Sequence, residues 1–201
     1  MKNQIKKLEK QITNLNKQFI LFKKIYYNNV VKINFQKGDI NMKESNFENI
    51  LFTMANYIIK KDPTITNLKL QKLLYYIHAH YLVKNKKDSR KELFPDCSIH
   101  AWIYGPVFPN LYFKLSRYGD KPVNLIKENE FTSVKLTKEQ IDSIEYILNK
   151  YGNMKPFVLS NKTHLEDPWI KNFKDDFCDL SDNVISEKDI FEYYTENPLK
   201  L

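Results

Sequence analysis

The sequence predicts a mostly α fold: one compact domain of about six helices, with a segment suited to a small β-hairpin, preceded by an N-terminal helical extension. Three observations carry this. Apolar residues recur at three- and four-residue spacing in several separate windows. Capping patterns stand immediately in front of those windows, and Gly or Pro stands just behind most of them. Charge is also divided unevenly. Residues 1–41 hold nine Lys against Glu9 and Asp39, while the rest of the chain holds 23 basic and 22 acidic residues. A basic excess raises the expectation of a nucleic-acid or other anionic partner, but here that applies to the extension and not to the nearly neutral domain.

In the extension, Ile5, Leu8, Ile12, Leu15, Phe19, Phe22 and Tyr26 alternate at spacings of three and four, with Lys, Asn and Gln between them. Such an a/d pattern over about three heptads suits a homo-oligomer formed through residues 5–26. It equally suits a basic amphipathic helix lying alone, because short isolated helices are marginal. A third reading comes from Lys37-Gly38-Asp39 followed by Met42. A purine-rich ribosome-binding sequence and a start codon would encode this pattern, and the product would then begin at Met42. The organisation expected is an extension over 1–41 and a domain over 43–201.

Within the domain, Ser45 and Glu48 form a capping-box pattern before Phe47, Ile50, Leu51, Met54 and Ile58, and Pro63 stops that helix. Thr66 caps a second helix whose Leu70, Leu73, Leu74, Ile77 and Tyr81 make one stripe. Lys69, Lys72, Tyr76 and His80 fall on another face of it, a solvated face or an interface for an acidic partner. Residues 85–98 are charged and aperiodic, which reads as a surface loop, and residues 99–104 suit extended chain. Gly105-Pro106 imposes a turn, since Pro fixes its own φ and excludes helix for the residue before it. Pro109 opens a helix bearing Leu111, Tyr112 and Leu115 that ends near Gly119. Two short apolar alternations over 120–136 suggest the hairpin. Thr137 with Gln140 caps a helix through Ile141, Ile144, Leu148 and Tyr151, ending at Gly152. Pro156 opens a further short helix, and Ser186 with Asp189 a last one through Tyr194, stopped before Pro198.

Two cysteines, Cys97 and Cys178, are too few for a disulfide framework, and no apolar run approaches the roughly 18 residues of a membrane span. With no signal-peptide apolar region, a cytoplasmic protein is expected. Cys97-Ser98-Ile99-His100 has a Cys-x-x-His spacing with Cys178 or His164 as the further ligands on offer, but zinc sites show a second paired motif and none exists. A Cys–His nucleophile is open on paper; buried thiols acting as small hydrophobes are the plainer alternative. Four unclustered glycines leave no phosphate-binding loop. No metal, cofactor or catalytic residue is therefore assigned. His164 precedes Glu166, Asp167 and Trp169, so a carboxylate could orient its imidazole, for catalysis or merely to tie down a loop. Trp102 beside Gly105-Pro106 suits a core anchor, while Tyr104 and Tyr112 suit a partner surface.

Three stretches taken together carry more. Leu70-Gln71-Lys72-Leu73-Leu74-Tyr75-Tyr76, Ala101-Trp102-Ile103-Tyr104-Gly105-Pro106-Val107, and Leu159-Ser160 leading to Thr163-His164-Leu165-Glu166-Asp167-Pro168-Trp169 follow one another in this order. They resemble the Panacea domain of SocA-like bacterial and phage antitoxins, a group that includes phage-associated GepA-like proteins. The resemblance covers roughly residues 47–196. It departs at the aromatic-rich Tyr75-Tyr76 and the Lys-rich insert at 84–92, which leaves partner specificity open. It implies a protein without catalysis of its own that binds and silences a neighbouring-gene toxin, by masking it or by delivering it to a protease. It further implies structural roles for Leu73, Trp102, Gly105, Pro106, His164, Pro168 and Trp169. Partner contacts are expected from Lys69, Lys72, Tyr76, Tyr104 and Tyr112, so that Tyr76→Ala or Tyr104→Ala would abolish protection with the fold intact. A nucleic-acid-binding regulator using the basic arm is the alternative, and the main domain itself is not expected to bind nucleic acid or membrane.

Overall fold

The computed structural model describes residues 46–85, 93–94, 97–127, 129, 131–174 and 183–199. These lie within one compact unit, Glu44–Leu201. The expectations for the extension, the Ser45 cap, Cys178 and most of the 85–98 loop fall outside the described residues.

Seven α-helices and one small sheet are described. Helix α1 spans Asn46–Lys61 and α2 spans Asn67–Lys84. Strands β1 (Ile99–Trp102) and β2 (Gly105–Val107) follow, then α3 (Pro109–Leu115) running into a 3-10 turn at Ser116–Tyr118. Helices α4 (Lys138–Tyr151), α5 (Pro156–Thr163) and α6 (Asp167–Asn172) lead to β3 (Val184–Ile185) and α7 (Glu187–Glu196). The fold is mostly α, as the periodicity predicts. Helix α6 goes beyond that prediction, because its six residues are too few to show a period.

Side-chain caps set three of the helix starts. The Thr66 hydroxyl accepts from the Lys69 amide, and Ser186 accepts from the Asp189 amide at 3.0 Å. Thr137 and Gln140 form a complete capping box, each side chain on the other's backbone amide. Such caps stabilise a helix by about 1 kcal/mol each. Helix α1 stops where Pro63 excludes helix for Asp62, and the Asp62 carboxylate takes over the turn by accepting the Thr64 amide at 3.0 Å.

Helix α2 runs through the centre, with Leu70, Leu73, Leu74 and Ile77 all at or near zero exposure. It packs against α1, α4, α5 and α7, and β2 covers its remaining side. Leu51, Met54 and Ile58 of α1, Ile144 and Ile147 of α4, Leu159 of α5 and Ile190 of α7 close the core around it. At roughly 1.5–3 kcal/mol for each buried aliphatic side chain, this shell is the main stabilising term.

The sheet has the order β2-β1-β3, antiparallel throughout. His100 faces Val107, Ala101 faces Pro106 and Trp102 faces Gly105, while Ile99 faces Ile185. Gly105 therefore begins a strand, with the turn at Ile103-Tyr104 before it. Pro106 sits on an edge strand, where its missing amide costs no ladder bond.

The hairpin expected over 120–136 does not form among the described residues there. That segment pairs with earlier parts of the chain instead. The Val123 amide donates to the Ile65 carbonyl at 2.9 Å. Asn56 of α1 both donates to the Ile126 carbonyl (2.9 Å) and accepts from its amide (2.8 Å). Phe131 meets Phe52 edge-to-face at 5.7 Å. The alternation that suggests a hairpin reflects Val123, Ile126 and Phe131 turning into the core as the chain passes over α1 and the α1–α2 turn.

Candidate functional site

The three motif stretches meet where α2, the β1–β2 hairpin and α5–α6 pack together. Helix α2 presents a polar edge inward. Asn67 donates to the Tyr112 carbonyl (3.1 Å), and Gln71 donates to the Asn67 side-chain oxygen (3.1 Å) while accepting from the Phe108 amide (2.9 Å). The Lys72 amine donates to the Pro106 carbonyl. These buried side chains satisfy backbone groups of the strand-to-helix segment 106–112. Helical spacing makes the arrangement, since residues 67 and 71 stand one turn apart with residue 72 alongside.

On the far side, the Trp169 indole donates to the Trp102 carbonyl at 2.9 Å. Ser160 donates to the Tyr104 carbonyl at 2.8 Å. Gly105 adopts φ +96°, and a Cβ there would lie 2.4 Å from the Thr163 hydroxyl and 3.1 Å from the Lys72 amine. No side chain fits between the hairpin and the two elements that hold it, which is why this position carries glycine.

Glu166 closes the constellation. It is buried, accepts from Tyr194 at 2.7 Å and from Tyr76 at 3.2 Å, and pairs with Lys162 at 3.3 Å. Burial pushes its carboxyl above the ordinary range, opposed by those same donors. A cavity of about 520 Å³ opens beside it, lined also by Lys150, Tyr151 and Tyr193, but the carboxylate oxygens are already taken from within. Lys72 is buried as well, and desolvation holds its amine well below the usual lysine range.

Carboxylate orientation of the His164 imidazole does not occur. Glu166 turns to the tyrosines, and Asp167 pairs with Lys171 at 3.4 Å. His164 is instead bonded to the Ile103 backbone and its ring lies 4.2 Å from that of Trp169. Burial and the nearby Lys72 lower its pKa, so at neutral pH it is an uncharged packing group of the hairpin. Near the Cys-x-x-His stretch, His100 contacts the Ser98 hydroxyl at 2.9 Å. Among the described residues no three His, Cys, Asp or Glu side chains cluster so as to hold a metal ion.

The stripe Lys69, Lys72, Tyr76 and His80 is not a surface. Lys69 is half-buried and paired with Asp62 at 3.0 Å. Tyr76 and Lys72 are at or near zero exposure, so neither reaches a partner from this arrangement, and Tyr76→Ala would damage the core instead of leaving the fold intact. His80 stacks on Tyr146 at 4.3 Å, with burial lowering its pKa to about 4. Tyr112 is half-buried against Trp102 (5.1 Å), its hydroxyl pushed up to about 12 by burial. Of the five residues expected to touch a partner, Tyr104 alone is exposed, at 42%. Leu73, Trp102, Pro106 and Pro168 are buried and Trp169 half-buried.

Sequence reasoning missed the apolar surface beside Tyr104: Phe157 (65% exposed), Val158 (51%) and Leu165 (79%). A signal was present. Phe157, Val158 and Leu159 are consecutive in a helix, and one stripe of an eight-residue helix can bury only one of them. Leu159 is the one that turns inward.

No helix among the described residues is long and apolar enough to cross a membrane. No solved structure matches the chain. Among curated proteins, Antitoxin SocA of Caulobacter vibrioides (strain NA1000 / CB15N) is 30% identical over 129 residues, 58% of this chain and 66% of that protein. The chain thus spans just under two thirds of the length of that relative. The family model for the antitoxin SocA-like Panacea domain matches residues 70–170, the span that holds the hairpin, the central helix and the Glu166 cluster. With its three motifs joined in one hydrogen-bonded unit, the chain belongs to the SocA-like Panacea-domain antitoxin family.

Proposed function

We propose that the protein is an antitoxin that silences a toxin encoded beside it by direct protein–protein binding, without catalysis of its own. The observation that carries this reading is the family match over residues 70–170, supported by a relative named Antitoxin SocA. The geometry agrees with binding more than with chemistry. Lys72, Glu166, Tyr76 and His164 are engaged in holding the hairpin and helices together, and Lys72, Tyr76 and Glu166 are buried.

A growth assay tests the reading. The adjacent open reading frame is expressed alone and then with the full chain. Arrest by the neighbour and rescue by this protein is the expected result. A harmless neighbour, or arrest that persists with the full chain present, would refute the antitoxin role. Toxin half-life in the rescued cells separates two routes: masking leaves the toxin level unchanged, whereas delivery to a protease shortens its life. Steeply salt-dependent nucleic-acid binding that vanishes on deleting residues 1–41 would instead support a regulator acting through the basic arm.

A further inference from the structure

The partner surface follows from what the fold leaves uncovered, and this inference rests on the toxin-binding reading above. The Tyr104 ring, at the hairpin turn, meets the edge of the Phe157 ring at 6.4 Å between centroids. Helix α5 is prolonged through the turn after it, the His164 amide donating to Ser160 and the Leu165 amide to Lys162. Val158 and Lys162 therefore share one face at i and i+4, and Leu165 stands in the turn just past the helix end. Single exposed apolar residues need no explanation. A run of four at 42–79% exposure, from Tyr104 through Phe157 and Val158 to Leu165, is the pattern of a protein interface.

Two further features narrow the occupant. The base of the ledge is fixed: Ser160 ties the Tyr104 carbonyl, Trp169 ties the Trp102 carbonyl, and Leu159 anchors α5 in the core. A preorganised ledge loses little side-chain and backbone freedom on docking, which favours a shaped protein partner over an interface that must be moulded. The second feature is charge. Residues 150–174 contain Lys150, Lys155, Lys162, Lys171 and Lys174 against only Glu166 and Asp167. Lys162 pairs with the buried Glu166 and Lys171 with Asp167, so both acids are neutralised and the span keeps an excess of three lysines.

We propose that Tyr104, Phe157, Val158 and Leu165, flanked by the exposed Lys155, form the toxin-docking surface. The toxin face it meets is an apolar hollow rimmed by aspartate and glutamate. Aromatic and aliphatic anchors at the centre supply most of such an interface's affinity, and the lysine rim sets orientation and association rate.

The test uses the full chain and the purified product of the adjacent open reading frame, with binding measured by calorimetry and surface kinetics. The double variant Phe157→Asp/Leu165→Glu should weaken binding at least 100-fold. Leu125→Glu, another exposed apolar position, on the segment that crosses α1, should leave it unchanged. Lys155→Glu should slow association about tenfold and reduce its salt dependence. Equal binding by the double variant and the Leu125→Glu control would overturn the surface while leaving the antitoxin reading standing. Failure of the wild-type protein to bind would remove that reading and this surface together. Should the double variant melt well below wild type, amide exchange on the wild-type complex decides: slowed exchange in 156–165 supports the surface, and unchanged exchange there overturns it. Vesicles of three parts phosphatidylcholine to one part phosphatidylglycerol form the last arm. Binding that Phe157→Asp/Leu165→Glu abolishes would reassign the ledge to a membrane and overturn the proposal.

Discussion

Replacing Gly105 with alanine should be among the most damaging single-methyl additions in this domain, and the structure supplies both parts of the cost. The first is conformational. With φ at +96° an L side chain is strained wherever the methyl points, a penalty of about 1–2 kcal/mol. The second is steric. The new Cβ would sit 2.4 Å from the Thr163 hydroxyl and 3.1 Å from the end of Lys72. Neither neighbour withdraws freely, since Thr163 donates to the Ser160 carbonyl at 2.7 Å and Lys72 is committed to the Pro106 carbonyl. Overpacking of this kind costs about 1–3 kcal/mol, which brings the expected loss to about 2–5 kcal/mol, a large share of a typical 5–15 kcal/mol. At this chain length that lowers the melting temperature by roughly 5–20 °C. Urea unfolding of the full chain reads it directly, with Gly119→Ala as the control. Gly119 also has positive φ (+59°) but nothing within 4 Å of the added methyl, so only the conformational cost applies. Thr163→Ala in the Gly105→Ala background removes the obstructing oxygen and should recover part of the loss, a coupling of about 1 kcal/mol or more. A Gly105→Ala variant no less stable than Gly119→Ala, or strict additivity with Thr163→Ala, would refute the close-approach argument.

Two further predictions concern the buried polar groups. Lys72 titrates well below the usual lysine range when folded, so the native protein binds fewer protons than the unfolded chain and stability should rise with pH. The rise lies below the ordinary lysine range and is at most about 1.4 kcal/mol per pH unit. Beyond that window the buried Tyr75, Tyr76 and Tyr194, whose hydroxyls are held above their ordinary range, begin to oppose it. Lys72→Met should flatten this rise in urea unfolding at pH 7, 8 and 9, and identical slopes for the two proteins would contradict the assignment. Around Glu166, Tyr194→Phe deletes the shorter donor (2.7 Å) and Tyr76→Phe the longer one (3.2 Å). The expected losses at pH 7 are about 1.5–3 kcal/mol for Tyr194→Phe and less for Tyr76→Phe, with the reverse order counting against a hydrogen-bonded carboxylate at the centre of the cluster.

Helix starts were legible in the sequence because they are local. Thr66, Thr137 and Ser186 each lie within three residues of the amide they cap, and Pro109 and Pro156 each open a helix where proline is tolerated. The sheet was not legible in this way. Strand β1 pairs with β3, two residues long and more than eighty positions away, and no neighbouring residue signals that pairing. Periodicity placed Lys72 and Tyr76 together on one face of α2 and could say no more. Whether that face meets water depends on the hairpin and on Glu166, thirty to ninety positions downstream. A lysine at helical spacing reads as solvent-facing by default, and here tertiary packing overrides the default. His164 illustrates the same limit, since two sequence neighbours, Glu166 and Asp167, suggested a carboxylate partner and the backbone of Ile103 took that place.

A physical division of labour follows from these contacts. The residues that make the three motifs recognisable spend their polar groups inside the molecule: Gln71 on Phe108 and Asn67, Lys72 on Pro106, Trp169 on Trp102, and Glu166 on two tyrosines and Lys162. A donor or acceptor already satisfied in a buried site cannot also recognise a partner without first breaking a bond that is costly to leave unmade. The polar side chains of the motifs therefore specify how the hairpin is clamped to α2, α5 and α6, and they are not available to a partner. In the proposed docking surface, recognition falls instead to exposed side chains above the clamp. At Tyr104, Phe157, Val158 and Leu165 a substitution alters the face offered to a partner while the hydrogen bonds beneath it stay intact. If that surface docks a toxin, such a scaffold can change its partner at little cost in stability. That is the property expected of an antitoxin fold whose identity lies in its interior and whose specificity lies on its surface.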